Sequence, residues 1–182
     1  MVSRNSASRG HVDRSPPPVS HGATPAVDAP GSFEEFYRAR GATLRQALCL
    51  ALGDASLGTE AADEAMARAC ERWSEVGRYD NPAGWTYRVG LNWAVSIQRR
   101  RRFRDRRPVP EQGWLPVPGD PDLAAALARL TPDHRAVIVC RYFLDWSVEQ
   151  TAEALGVAEG TVKSRLSRSL DTLKQQLGDS HE

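Results

Sequence analysis

The residues best suited to specific chemistry lie in the last fifth of the chain, where polar and basic side chains recur on one side of a predicted helix. Ser147 and Gln150, three residues apart, predict a capping box that opens a short helix ending at Gly156. A second helix is predicted from about Glu159. Its polar side carries hydroxyls and cations that can bond to base edges and phosphates. These residues are Gly160, Thr161, Ser164 and Arg168, flanked by Lys163 and Arg165.

The opposite side of this helix is apolar at three- and four-residue spacing, with Val162, Leu166, Leu170, Leu173 and Leu177. A short helix, a glycine turn and a polar second helix form the layout of a helix-turn-helix. In that motif the second helix enters the major groove of DNA and the first braces it across the backbone. The alternative is an ordinary helical hairpin in a bundle, because the same geometry also occurs without DNA.

A second concentration of charge is the run Arg99–Arg107, with seven basic residues and one acidic residue in a chain of net charge +1. It continues a helix whose start is predicted by Asn81 at the N-cap and Pro82 at the first helical position. Arginines can contact phosphates while nearby aromatic rings stack on bases. The alternative for the arginines is a solubilising or anchoring basic run. The alternative for Trp85 and Trp93 is that both are core residues.

The remaining sequence predicts an all-α chain made of two small helical domains. Residues 1–31 are rich in Pro, Ser, Gly and Ala, which predicts a disordered tail. The first domain is predicted at 32–107 and the second at 122–178. Residues 108–121 contain repeated prolines and are expected to form an extended linker between them. No alternating pattern of useful length predicts a strand.

Capping residues and apolar spacing predict seven helices and their inward-facing residues. The helices are expected at about Phe33–Leu52, Thr59–Trp73, Pro82–Arg102, Asp122–Leu130, Pro132–Phe143, Val148–Leu155 and from Glu159 past Leu173. The residues expected to face inward include Ala62, Met66, Ala69, Cys70 and Trp73 in the second helix, and Ala136, Val139, Cys140 and Phe143 in the fifth. A loop is expected at Val76–Asp80.

Several classes of function find no support in the sequence. No nucleotide-binding loop, zinc-protease motif or nucleophile elbow is present, and no nucleophile stands beside a base, so an enzyme is not expected. The three cysteines are scattered and the four histidines do not cluster, so neither a metal site nor a cofactor is expected. Buried thiols, and the lack of a signal peptide or long apolar run, predict a cytoplasmic protein.

Three stretches carry a resemblance to a known family. Asn81–Asn92 is similar to the −10-element region, Leu130–Tyr142 to the start of region 4, and Gly156–Arg168 to the −35 recognition helix of sigma factors. From Phe33 to Leu177 the chain resembles an extracytoplasmic-function (group IV) sigma factor of the sigma-70 family of bacterial RNA polymerase. The first residues of this range, Phe33–Tyr37, are similar in sequence to the start of an actinobacterial subfamily of these factors.

This resemblance implies partners and assigns roles to residues. The partners would be promoter DNA, the β′ and β subunits of core RNA polymerase and, as a further candidate, an anti-sigma factor. The −35 element would be read by Gly160, Thr161, Lys163, Ser164, Arg165 and Arg168. The −10 element would be contacted by Asp80, Asn81, Trp85, Arg88, Asn92, Arg99, Arg100 and Arg101, with a flipped-out base held in the loop Val76–Asn81. Core polymerase would dock on Glu60, Asp63, Glu64, Arg68 and Trp73.

Two local features depart from the family pattern. Glu60–Asp63 replaces an Asp-Leu-Val-Gln-like run, which predicts altered docking on polymerase. Without the resemblance, these acids would be interpreted as a solvated helix face. Ala158 stands where the family has a capping Ser, and the missing cap should cost the recognition helix about 1 kcal/mol.

Two other functions compete with that of a promoter-specificity factor. A free-standing, two-domain transcriptional regulator can carry a very similar helix-turn-helix. Its N-terminal half should then show a ligand pocket or phosphoacceptor pattern, whereas this one shows a basic, aromatic helix. A protein-binding helical adaptor is the other alternative, and it leaves the run Arg99–Arg107 unexplained.

Overall fold

The computed structural model describes residues 31–104 and 121–178. In these two ranges the chain is helical and has no strand, which confirms the all-α class. The helices are α1 (Phe33–Leu52), α2 (Ala55–Glu71), α3 (Trp73–Val76), α4 (Pro82–Arg104), α5 (Pro121–Arg129), α6 (Pro132–Ile138), a π-helical turn (Val139–Phe143), α7 (Val148–Leu155) and α8 (Glu159–Gly178). The predicted tail, apart from Gly31, and the predicted linker, apart from Pro121, lie outside the described residues.

Helices α1 and α2 pack closely against each other and form the base of the first half of the chain. A capping box opens α1, with Ser32 and Glu35 each accepting from the other's backbone N–H at 3.2 Å. Gly53 ends α1 in the left-handed conformation with φ 67°. Asp54 then caps α2 at once, accepting from Leu57 N–H at 2.9 Å. Helix α2 therefore begins four residues earlier than the sequence predicted.

The end of α2 also differs from the prediction, because the chain leaves helical geometry at Arg72 and starts the short helix α3. Trp73 consequently belongs to α3. Its ring packs edge-on to Phe33 at 5.7 Å and against Phe36 at 4.9 Å between centroids. This aromatic contact fixes the start of α1 against α3, and only Gly77–Asn81 remains as the loop leading into α4.

The second half of the chain is built from α5 to α8 around apolar contacts. Leu127 of α5 and Leu130, the residue after this helix, pack with Ile138 of α6 and Leu173 of α8. The predicted continuous helix to Phe143 is interrupted by the π-helical turn, in which Leu144 N–H donates to Val139 C=O at 3.0 Å. The wider turn exposes Phe143 and the neighbouring Tyr142, so Phe143 does not face inward as predicted.

The two halves share one hydrophobic cluster. Tyr87 of α4 is fully buried, and its ring meets the Trp146 ring edge-on at 5.5 Å. Cys140 and Ala154 from the second half belong to the same cluster as residues of α1, α2 and α4. The position of the helix-turn-helix relative to α4 is therefore fixed by apolar packing.

Among the cysteines, the structure confirms the predicted burial of Cys49 and Cys140 and contradicts that of Cys70. Cys70 lies one residue after Ala69, which takes the inward position in the contact between α2, α3 and α4. The small side chains Ala62, Ala65 and Ala69 define the buried face of α2. Cys70 points away from this face and is exposed.

Gly58 permits the close approach of α2 to α1, and its replacement gives a test of this packing. A Cβ added at Gly58 would lie 2.4 Å from Cys49 Cα, so backbone atoms would have to move. We expect Gly58→Ala to lower the free energy of unfolding by about 1–3 kcal/mol, as overpacking does. Gly41→Ala is the matched control, because its Cβ would meet the Tyr37 ring at an ordinary 3.4 Å. Urea unfolding followed by circular dichroism measures both.

Helix propensity should make the Gly41 variant up to about 1 kcal/mol more stable than the parent chain. Equal unfolding free energies for the two variants would contradict the close approach of α1 and α2.

Candidate nucleic-acid and polymerase interfaces

The helix-turn-helix is held together by caps and a small core. Gln150 N–H donates to Ser147 Oγ at 3.0 Å, and Ser147 N–H donates to Gln150 Oε1 at 2.9 Å. Gly156 has φ 66°, so the chain turns sharply between α7 and α8. Val162 is fully buried against Val137 of α6 and Ala152 of α7. The rotation of α8 about its axis is set by this contact.

With Val162 buried, the opposite face of α8 is turned to solvent. Gly160, Lys163, Ser164 and Arg168 are exposed, and Thr161 is half-buried. Arg168 has no side-chain partner among the residues that the structure describes. The structure thus brings the predicted −35 residues together on one helix face, apart from Arg165.

Arg165 is turned toward α6, where its guanidinium lies 2.6 Å from the Asp133 carboxylate. Lys163 lies 3.4 Å from the Glu159 carboxylate one turn earlier on the same helix. Both cations are therefore restrained by carboxylates, whereas Arg168 is not. Ala158 directly precedes α8 and has no side-chain oxygen to cap the helix. Its carbonyl accepts from Thr161 and Val162 N–H.

The start of α4 is shaped by Asn81 and Trp85. Asn81 Oδ1 accepts from Gly84 N–H at 2.7 Å, so the predicted N-cap is present. Trp85 is only 9% exposed and packs on α2 and α3. The Arg72 guanidinium lies 5.6 Å from the centre of its ring. Trp85 is therefore a core residue in this conformation and offers no free face for stacking.

Two donor nitrogens at this position, Asn81 Nδ2 and Trp85 Nε1, are buried without a hydrogen-bond partner among the described residues. The preceding loop is fixed by Glu75, which accepts from Tyr79 Oη at 2.5 Å and from Arg72 Nη2 at 2.9 Å. These two hydrogen bonds lower the pKa of the Glu75 carboxyl below its ordinary value. The loop is thus rigidly attached to α3 and presents exposed Asp80 beside Asn81.

The other predicted −10 residues follow along α4. Asn92, Arg99 and Arg100 are exposed, whereas Arg88 and Arg101 are half-buried. Arg100 folds back on its own helix, with its guanidinium bonded to Ser96. These residues extend over most of a 23-residue helix, a length of about 35 Å. They form a long polar strip instead of one compact site.

The predicted docking acids are all engaged in ion pairs within the chain. Asp63 lies 3.0 Å from Arg45, Glu64 lies 2.7 Å from Arg68, and Glu60 lies 3.7 Å from Arg101. All three carboxylates are still more than a third exposed. The Glu60 pair joins the predicted polymerase-docking face to the predicted phosphate-contacting run. Trp73, the last predicted docking residue, packs against Phe33 and Phe36 as described above.

No group of metal-ligating side chains is found within 31–104 or 121–178. In the same ranges, no helix is long and apolar enough to cross a membrane.

Comparison with known proteins decides the family. The sigma-70 region 4 family matches residues 122–173, which contain the helix-turn-helix. The ECF RNA polymerase sigma factor SigL of Mycobacterium tuberculosis is 36% identical over 140 residues, covering 69% of this chain and 79% of SigL. The chain is a member of the ECF sigma factor family. The sigma-E factor of Streptomyces coelicolor is a further relative, 30% identical over 154 residues, covering 80% of this chain and 85% of that factor.

The same fold occurs in solved sigma factors. The structure of RpoE in complex with the anti-sigma factor NepR from Bartonella quintana aligns with a TM-score of 0.67 at 22% identity. The alignment covers 80% of this chain and 96% of RpoE. CnrH, solved with the cytosolic domain of CnrY, gives a TM-score of 0.57 at 20% identity, covering 85% of this chain and 94% of CnrH.

The chain therefore functions as an ECF-type sigma factor, the subunit that gives RNA polymerase its promoter specificity. The comparisons confirm the family that the sequence resembled. Nothing in them favours the free-standing regulator.

Sequence reasoning missed the residues that join the two halves of this sigma factor. Tyr87 was not named among the residues expected to face inward, yet it is buried against Trp146. Arg88 donates from Nη1 to the Glu153 carbonyl of α7 at 3.4 Å. These partners are 59 and 65 residues apart in the sequence, so no local pattern could have indicated them.

The exposed basic end of α4 generates a test of phosphate contact. We expect the combined change of Arg99, Arg100 and Arg101 to Ala to weaken holoenzyme binding to all promoters alike. The log–log dependence of affinity on salt should become shallower by up to about one unit per lost contact. A control with Arg38 and Arg40, both exposed on α1, changed to Ala should leave the slope unchanged. An unchanged slope in the triple variant would show that this run does not bind phosphates.

Proposed function

We propose that this sigma factor docks on core RNA polymerase through α2, reads the −35 element with the exposed face of α8, and contacts the −10 element with the start and polar strip of α4. In this proposal residues 32–107 and 122–178 are the two functional domains. The protein works in the cytoplasm, where the polymerase acts, and performs no catalysis of its own.

The −35 role is supported chiefly by the burial of Val162. Since that side chain is fully buried, the residues half a turn away must face outward, where a major groove can receive them. Arg168 combines exposure with a guanidinium that no described carboxylate holds. A guanidinium can bond to guanine O6 and N7 in bidentate fashion, a contact worth about 1–3 kcal/mol of discrimination.

Gly160 supports the same orientation. A Cβ added there would meet nothing within 4 Å, so no contact inside the chain requires glycine at this helical position. Glycine lowers helix stability relative to alanine, and its missing side chain permits the close approach of a backbone to a ligand. At the N-terminal end of a recognition helix, the DNA backbone is that ligand.

The −10 role is supported by the two unpartnered donor nitrogens, Asn81 Nδ2 and Trp85 Nε1. A buried donor without an acceptor costs about 1–3 kcal/mol, and a bound base could supply acceptors. Asn92 and the arginines beyond it then continue the contact along the melting strand. Trp85 would act through its ring nitrogen in this arrangement, because its ring faces are occupied by the core.

The ion pairs of the α2 acids do not oppose docking. Exposed ion pairs of this kind are worth about 0–1 kcal/mol each, so polymerase residues can replace the intramolecular partners at little cost. Glu60, Asp63 and Glu64 are exposed enough to be reached. An anti-sigma factor is a candidate further partner, since the structural neighbours RpoE and CnrH were solved with NepR and CnrY.

The two cations on α8 should differ in what they contribute. Arg168→Ala should relax the preference at one or two −35 positions, because a base contact is lost. Lys163→Ala should lower the use of every promoter about equally, because Lys163 lies to the side and positions the helix through phosphates. A library of randomised −35 elements, transcribed by each variant holoenzyme, measures both effects.

Lys163→Ala serves as the matched control for the loss of one positive charge. If it shifts the preferred sequence while Arg168→Ala does not, the proposed rotation of α8 in the groove is wrong.

A further inference from the structure

The loop before α4 is held by one carboxylate that bonds to two side chains at once. Glu75 Oε1 accepts from Tyr79 Oη at 2.5 Å, and Glu75 Oε2 accepts from Arg72 Nη2 at 2.9 Å. Arg72 directly precedes α3, Glu75 lies inside it, and Tyr79 lies in the loop after it. Val76, the neighbour of Glu75, is fully buried in the core between α2 and α4. The carboxylate therefore ties both ends of this segment to a helix that is itself anchored.

Both of the tied side chains contact Trp85. The Arg72 guanidinium lies 5.6 Å from the centre of the Trp85 ring. The Tyr79 ring lies 6.3 Å from it between centroids, at an interplanar angle of 59°. At such distances cations and aromatic rings attract an indole. The orientation of the Trp85 ring, and with it the direction of its N–H, thus depends on two side chains that Glu75 holds.

The same carboxylate restrains Asn81. Tyr79 precedes Asn81 by two residues, so their Cα atoms are at most about 7 Å apart. A fixed Tyr79 side chain therefore limits where the Asn81 backbone can lie. From the other side, Gly84 N–H donates to Asn81 Oδ1 at 2.7 Å and sets the direction of the amide. Both unpartnered donors, Asn81 Nδ2 and Trp85 Nε1, are consequently placed by groups that Glu75 binds.

Glu75 itself is poorly suited to bind the DNA backbone. Both of its oxygens already accept hydrogen bonds within the chain. These bonds lower the pKa of its carboxyl, so the group is ionised at neutral pH. An ionised carboxylate has no hydrogen to donate and repels phosphates. Any influence of Glu75 on promoter recognition must therefore pass through Tyr79 and Arg72.

We propose that Glu75 is a positioning residue for the −10 contact: by holding Tyr79 and Arg72 against Trp85, it sets the geometry in which Asn81 and Trp85 offer their donors to a base. The proposal rests on the proposed function for the −10 role of these two donors. Donors fixed in advance discriminate between bases, because a wrong base leaves them unpaired. A loop that can adjust would accept several bases, so loss of Glu75 should relax the preference.

Transcription from promoter libraries by the full-chain holoenzyme tests this role. One library carries a randomised −10 element and another a randomised −35 element, each member with a transcribed barcode. At the −10 positions that the two donors read, Glu75→Ala should lower the ratio between the most and least used base by about threefold or more. The −35 preference should stay unchanged. A contact that only stabilised the fold would lower the use of every promoter alike and shift neither preference.

Three further variants separate the contributions. Glu75→Gln keeps an acceptor oxygen and the side-chain volume, so its effect should fall between the parent chain and Glu75→Ala. Tyr79→Phe removes one of the two bonds and should relax the same positions less strongly. Both variants preserve packing and decide the question if Glu75→Ala does not fold. Glu34→Ala removes the same charge at an exposed position of α1 and, as the matched control, should change neither preference.

The positions read by the donors are identified by combining Asn81→Ser with Trp85→Phe, which keeps a capping oxygen and a ring but removes both nitrogens. In that background Glu75→Ala should relax the −10 preference no further, because nothing is left to position. An unchanged −10 preference in the Glu75 and Tyr79 variants, or an additive effect in the combined variant, would overturn this proposal and leave the proposed function standing. If removal of both donors leaves the −10 preference unchanged, their −10 role is wrong and this proposal fails with it.

Discussion

The burial of Tyr87 between the two halves of the chain is the contact on which the rest of the structure depends. Its ring fills the space between α4 and the segment around Trp146, and it brings Cys140 and Ala154 into the cluster formed by α1, α2 and α4. An aromatic side chain buries a large apolar area, so one such residue can fix the relation of two units. The orientation of α7, and through Val162 that of α8, follows from this placement.

Helix α4 has both buried and exposed residues. Tyr87 and Val89 lie on different sides of the helix and are buried in two separate clusters, while its polar strip carries Asn92, Arg99 and Arg100 to solvent. Arg88 lies at the border and is covered by the turn at Gly156. In the proposed function, promoter DNA would therefore contact the same helix that packs against the second half of the chain.

Much of this fold could be predicted from local sequence because caps and helical periodicity are local properties. The capping box at Ser147, the glycine turn at Gly156 and the helix α7 all occur where the sequence placed them. The contacts of Tyr87 and Arg88 could not be predicted, since their partners are about 60 residues away in sequence. The π-helical turn that exposes Phe143, and the pairing of Glu60 with Arg101, also depend on tertiary packing.

The central claim, that this chain reads promoters only as part of RNA polymerase, is tested most directly by a mobility-shift measurement with the full chain. The DNA would be a promoter selected from the randomised library, with a scrambled sequence as control. A specific complex should form when core polymerase is present and should be absent with the sigma factor alone, because residues 108–182 carry a net charge of −4 while tight DNA binding needs many phosphate contacts. Tight, specific binding by the chain alone would contradict the account and favour a free-standing regulator.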